Sequence, residues 1–180
     1  MTGRLRRLVG RLVDGDLPPD FVGKLVGDER VLGVAELTDG GHVVATTFGL
    51  WLPDGDGTRR VGWHLISKAN WENGALVVVE AEEADTVDGA VLLTDKPPRR
   101  LRLGNPGRVP EAVHARVTWS IKSRHHRDLP GGGAWVVQRS VAGQDGIVLQ
   151  VRPDPGTDPK AARSLAAQVA AQVRKVKRVE

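Results

Sequence analysis

The 180-residue chain has no cysteine and no tyrosine, one methionine and two phenylalanines. Without cysteine there are no disulfides, thiol nucleophiles or thiolate metal sites. The sequence also lacks a long apolar run: none approaches the about 18 residues that a membrane-spanning helix needs. The opening residues carry no signal-peptide hydrophobic core, so a cytoplasmic location is expected. Charge of one sign does not dominate, since 26 basic against 22 acidic residues leave +4. HExxH, GxSxG, Walker and dinucleotide patterns are all missing, as are internal repeats and low-complexity segments. These absences weigh against metal or covalent catalysis, and a non-enzymatic protein without cofactor is expected.

What is present is a chain long enough to bury about 70% of its unfolded surface, with no need of a staple. Arginines outnumber lysines nineteen to seven. That ratio matches a high-GC codon bias of the actinobacterial kind, so arginine richness alone does not indicate nucleic-acid binding. Position is more informative. Arg4, Arg6, Arg7 and Arg11 crowd the opening, Glu80, Glu82, Glu83, Asp85 and Asp88 form an acidic stretch, and residues 96–108, 122–127 and the last seven are basic.

Residues 4–13 read as a short helix, with Leu5, Leu8, Val9, Leu12 and Val13 at helical spacing. Pro18-Pro19 stops it, and Asp20–Val26 is expected to add one helical turn. Strands are then expected at Val31–Leu37, His42–Leu52, Arg59–Trp71, Ala75–Ala81, Ala90–Thr94 and Arg99–Leu103. Trp63, Leu65, Ala69 and Trp71 share one parity in the third, which makes Trp63 and Trp71 core residues. Asn73-Gly74 and Asp88-Gly89 are hairpin signals, because both residues accept the positive φ of a type I′ turn. Turns at intervals of roughly a dozen residues indicate one curled antiparallel sheet or barrel. A helix over Pro110–Ile121 carries the stripe Val113, Val117 and Ile121, broadened by Ala112, Ala115 and Trp119. Gly131-Gly132-Gly133 introduces a hairpin with arms Ala134–Val141 and Ile147–Arg152. Asp158-Pro159 opens a last helix, with a capping acid and proline at its first position.

About six strands closed by a helix is the outline of a pleckstrin-homology-like (PH-like) barrel. Val43-Val44-Ala45-Thr46-Thr47 with Gly49-Leu50-Trp51-Leu52 resembles the second strand of small actinobacterial PH-like proteins, themselves uncharacterised. Val61-Gly62-Trp63-His64-Leu65-Ile66 with Ala69-Asn70-Trp71 resembles their third. Val109-Pro110-Glu111, Arg116-Val117 and Ser120 resemble the start of their closing helix, and Leu129-Pro130-Gly131-Gly132-Gly133 and Asp154–Pro159 are similar to later segments. The resemblance covers roughly residues 28–160. It implies an α+β fold: a PH-like antiparallel curled sheet or barrel closed by a helix, with a further hairpin and a C-terminal helix. Residues 1–27 are then a basic N-terminal helical segment. Residues 28–180 form a single PH-like domain with a hairpin–helix extension, either an added subdomain or further strands of the same sheet.

Candidate sites are few. His42 follows a glycine pair, His64 alternates with apolar neighbours, and His114 sits beside Val113 on a helix. Adjacent His125 and His126 point apart on a regular strand, and only a loop would let both face one metal; no metal site is assigned. The acidic residues 80–88 fit a solvated strand end. Trp119 near Lys122, Arg124 and Arg127 is where an aromatic ring and basic residues coincide, as a nucleic-acid platform would require. The opening arginines beside a Leu/Val stripe suit a protein partner or weak contact with an anionic membrane. The residues assigned to binding are therefore Arg4, Arg6, Arg7, Arg11, Trp119, Arg124 and Arg127. The expected function is a non-enzymatic interaction module for a protein partner, with peripheral contact at the inner membrane surface. The first alternative is nucleic-acid association through Arg99, Arg100, Arg102 and Arg108 with Arg174, Lys175, Lys177 and Arg178. The second is an enzyme without a recognisable motif.

Overall fold

A computed structural model of the chain describes residues 16–178. The predicted opening helix, and with it Arg4, Arg6, Arg7 and Arg11, lies outside the described residues. The order is β1 (Val31–Leu37), β2 (His42–Thr46), β3 (Gly49–Asp54), β4 (Gly57–Gly62), a 3-10 turn (Trp63–Leu65), β5 (Ile66–Glu72), β6 (Ala75–Val87), β7 (Ala90–Asp95) and β8 (Arg99–Asn105). Then come α1 (Val109–Ser120), β9 (Ile121–Leu129), β10 (Gly132–Ser140), β11 (Ile147–Pro153) and α2 (Pro159–Lys177).

All eleven strands join one mixed sheet in the order β4-β3-β2-β1-β8-β6-β7-β11-β10-β9, with β5 on a second edge of β6. The 13-residue β6 unites two halves. Its first residues pair with β5 and β8, and Ala81–Val87 pairs with β7. The predicted C-terminal hairpin therefore extends the same sheet. The expectation of an antiparallel curled sheet or barrel holds in part: the fold is α+β with one large sheet, but the sheet is mixed and it is not a barrel. Strand β11 runs parallel to β7, which the long connection through β8, α1, β9 and β10 permits. The sheet is also open, because among the described residues β4, β5 and β9 each pair on one side only.

Each half has its own core. Leu50, Leu52, Trp63, Ile66, Leu76, Val78, Val109 and Val113 are among the buried residues of the first, which α1 covers. Leu149, Val151, Leu165, Ala166 and Val169 belong to the second, between β7, β10, β11 and α2. Asn73-Gly74 and Asp88-Gly89 make the hairpin turns their sequences predict, with φ of 48° and 72°, and 53° and 93°. Asp158 caps α2, accepting from the Lys160 N–H, with Pro159 at the first position.

Other expectations give way to local chemistry. The predicted strand His42–Leu52 is a hairpin, since the Thr46 hydroxyl accepts from the N–H groups of Phe48 and Gly49 and folds the chain back. Gly49 is required there, because a Cβ would lie 2.4 Å from the Val61 carbonyl oxygen. The predicted strand Arg59–Trp71 is interrupted by the 3-10 turn, which resets the alternation. Trp63 is buried, but Trp71 is 43% exposed. Trp119, expected on the apolar stripe of α1, is likewise exposed. Asp20–Val26 forms no helical turn. Pro18 is buried, and Phe21 packs edge-on against Trp51 at 5.2 Å. Residues 121–129, predicted as no strand, form β9. Glu80 is buried against Arg59, whereas Glu82, Glu83 and Asp85 are exposed.

Candidate functional site

Alternation along β10 separates two faces. Ala134 and Val136 face the α2 core, so Trp135, Val137 and Arg139 face the other way. The antiparallel register sets Arg152 and Gln150 of β11 beside Trp135 and Val137. From β9 it adds His126 beside Trp135 and Arg124 beside Val137. One face of this half-sheet thus gathers Arg124, Arg139 and Arg152. It turns toward the 3-10 turn and β5 of the other half. The Nη1 of Arg139 donates to the carbonyls of Trp63 (3.2 Å) and Ile66 (2.8 Å), and Gln150 Nε2 donates to that of His64 (2.9 Å). These bonds tie β10 and β11 to the turn and to the first residue of β5; the Trp63 carbonyl also accepts from the Ile66 N–H.

Arg139 is 4% exposed. Among the described residues no carboxylate pairs with it, and its buried Nε has no hydrogen-bond partner. Burial, together with the neighbouring charge of Arg152, pushes its pKa down to about 10, so it stays cationic at neutral pH. Arg152 meets one acid, Asp95, at 3.8 Å, and Asp95 also accepts from the Ser67 hydroxyl. Arg124 lies over the Trp135 ring at 4.9 Å from its centre. Trp135 meets His126 edge-on at 5.0 Å, and His126 is 2.7 Å from Asp154. His64, on the turn that Arg139 clamps, has an unpartnered Nδ1. Burial first, and Arg139 second, hold its pKa below the ordinary 6.5.

The arginines line an inner pocket of about 30 Å³ with Ser67 and Gln150. An adjoining pocket of about 340 Å³ shares Ser67, Ile121, Arg124 and Arg152 with it and adds Lys68, His114 and Trp135. Among the described residues neither lining contains a carboxylate. Isolated buried charge is costly, and a guanidinium offers five N–H donors to an anion. The lining of this cleft is cation-rich, with donors of the kind that can hold an anion.

The predicted grouping of Trp119, Arg124 and Arg127 is divided. Trp119 ends α1 at 52% exposure with the Lys122 ammonium 4.3 Å from its ring centre. Arg124 enters the cleft and stacks on Trp135. Arg127 aligns with Ala134, on the opposite face of β9. His125 and His126 also fall on opposite faces, aligned with Val136 and Trp135. Among the described residues no three His, Asp or Glu side chains are grouped to hold a metal. The nucleic-acid candidates belong to different halves of the sheet and are partly engaged: Arg99 with the Pro53 carbonyl, Arg100 with Glu72, Arg174 with Asp88. Sequence reading missed Arg139 and Arg152. The available signal was the predicted hairpin itself, whose arms place Trp135 and Arg139 on one parity with Arg152 on the return.

No protein-family model, curated protein or solved structure matches the chain.

Proposed function

We propose that the chain is a non-enzymatic binding module that holds an acidic segment of a protein partner on the arginine face of β9, β10 and β11. The observation that carries this reading is the pair Arg139 and Arg124, whose charges no carboxylate of the described residues matches. Strand β9 borders that face and has a free edge, where an extended partner strand adds main-chain hydrogen bonds. Its charged residues also guard the edge against self-pairing. For the first half, the antiparallel run β1–β4 and a helix over the core support a PH-like reading, from which the open seam between β4 and β5 departs. Contact with an anionic membrane rests on Arg4, Arg6, Arg7 and Arg11 alone.

The test is fluorescence anisotropy with a short labelled peptide of alternating Glu and Val. Its Lys counterpart and a single-stranded oligonucleotide of equal charge serve as comparisons. The acidic peptide is expected to bind, the Lys peptide not, and a double Arg124→Glu, Arg152→Glu variant to lose the signal. Failure of the acidic peptide to bind overturns the reading. Preferential binding of the oligonucleotide, weakening steeply with salt, transfers it to the nucleic-acid alternative.

A further inference from the structure

The cleft has two parts of different size, and the inner part sets what group can enter. Its volume of about 30 Å³ is room for one or two water-sized groups. It takes one or two oxygens of an oxyanion head, the rest of the head standing in the adjoining pocket, and it is too small for a sugar or a base. Three arginines line it, and Lys68 lines the outer pocket. A carboxylate brings one negative charge, whereas a phosphomonoester brings roughly −1.5 to −2 at neutral pH and three acceptor oxygens. Arg139 supplies the independent sign of a ligand: it is almost wholly buried, lines this pocket, and has an orphaned Nε.

We infer that the inner pocket is an oxyanion site for a phosphomonoester, with Arg139 at its floor and Arg152 and Arg124 at its sides. Ser67 also lines this space, but its hydroxyl proton is donated to Asp95, so the arginines are the donors to the anion. The outer pocket takes the chain that bears the phosphoryl group, and Trp135 with the Arg124 guanidinium walls it. The inference rests on the proposed binding of an acidic protein segment and assigns that segment a phosphorylated side chain. Free phosphorylated small molecules share the chemistry, and the experiment separates them.

Isothermal titration with the whole chain uses four probes: an acidic peptide containing one serine, its phosphoserine form, its glutamate form, and free O-phosphoserine. The phosphoserine peptide is expected to bind at least tenfold more tightly than the other two peptides. Arg152→Gln and Arg124→Gln are expected to remove that gain while leaving the melting temperature within the spread of replicate wild-type scans. Arg139→Lys, which keeps a charge but loses the planar fork, is expected to reduce the gain in part. Equal affinity for all three peptides overturns the oxyanion site and leaves the acidic-segment reading standing. Binding of free O-phosphoserine without any peptide supports the site and overturns the protein partner. Binding of none of the four overturns both.

Discussion

Two buried charges, Glu29 packed against the first half of the sheet and Arg139 within the second, are handled in opposite ways. The Glu29 side chain is enclosed, and every requirement of its carboxylate is met. Thr46 Oγ1 donates to it at 2.6 Å, Trp51 Nε1 at 3.0 Å, the Val26 N–H at 3.1 Å and Arg60 Nη1 at 2.5 Å. Burial alone would raise its pKa, but these hydrogen bonds, with the Arg60 charge, outweigh burial and hold the carboxyl below its ordinary 4.5. Arg139 has two carbonyls on one nitrogen, an orphaned Nε, and another arginine for a neighbour. A satisfied buried charge is architecture: Glu29 ties residues 16–30 to the turn between β2 and β3. On the proposed function, the unsatisfied one is capacity held for a group that brings the opposite charge.

The largest expected effect tests the satisfied member. Glu29→Ala leaves the Trp51 N–H without its acceptor, leaves the Thr46 hydroxyl only the Gly49 carbonyl, and removes the partner of Arg60. Loss of one member of a buried pair costs about 3–5 kcal/mol, and chemical denaturation is expected to show a loss of that order. The sign with pH follows. The unfolded carboxyl takes up a proton near pH 4.5, while the folded one resists protonation to lower pH. The unfolded state therefore binds more protons below that value, and stability falls as the solution is acidified through it. Glu29→Gln is expected to flatten this acid limb. An unchanged limb would show that Glu29 is not the satisfied charge described.

Next in size is Gly49→Ala, at the turn that Glu29 steadies through Thr46. The added Cβ would sit 2.4 Å from the Val61 carbonyl oxygen and 2.9 Å from the Arg60 side chain. Backbone must move, at a cost of about 2 kcal/mol, typical of overpacking. Because Arg60 is displaced with it, the loss is expected to be less than additive with that of Glu29→Ala in the double variant. Strict additivity would separate the turn from the Glu29 network.

How much of this was legible in the sequence depended on how local its causes are. The turns at Asn73-Gly74 and Asp88-Gly89, the cap at Asp158 and the arms of β10 and β11 follow from neighbouring residues, and the sequence shows them. The break between β2 and β3 rests on Thr46 meeting Glu29, seventeen positions away, within a run that reads as continuous strand. Strand β9, Ile-Lys-Ser-Arg-His-His-Arg-Asp-Leu, has no apolar alternation, because it is an edge with polar groups on both sides. Arg124 was singled out for its company in sequence. Arg139 and Arg152 were not, since their significance comes from the hairpin register and from the carbonyls of Trp63 and Ile66, 76 and 73 positions earlier, that receive the Arg139 guanidinium.

Arg139→Met is expected to cost less than either change at the Glu29 site, about 1 kcal/mol. Each hydrogen bond from a charged donor is worth roughly 1.5–3 kcal/mol, but the substitution also relieves a buried charge that no carboxylate compensates. A loss as large as that of Glu29→Ala would erase the contrast between the two charges. Saturating phosphoserine peptide sharpens it, because a ligand that binds only the folded state raises the melting point of the wild type. The variant is expected to show no such rise.

The smallest effect belongs to His64, whose imidazole sits on the turn that Arg139 clamps. Burial and the Arg139 charge both oppose its protonation in the fold, while the unfolded chain accepts a proton near the ordinary value of 6.5. Stability contributed by keeping this ring neutral is complete above that pH and declines as pH falls through it. His64→Leu gives up no hydrogen bond at Nδ1 and is expected to level the melting temperature between neutral and mildly acid pH. An anion bound beside Arg139 would offset the charge that disfavours the imidazolium, so excess phosphoserine peptide is expected to narrow the difference in slope between the wild type and the variant. In that comparison the titration of the phosphate itself, at about pH 6, cancels. A difference that the peptide leaves unchanged would show that the anion does not reach Arg139.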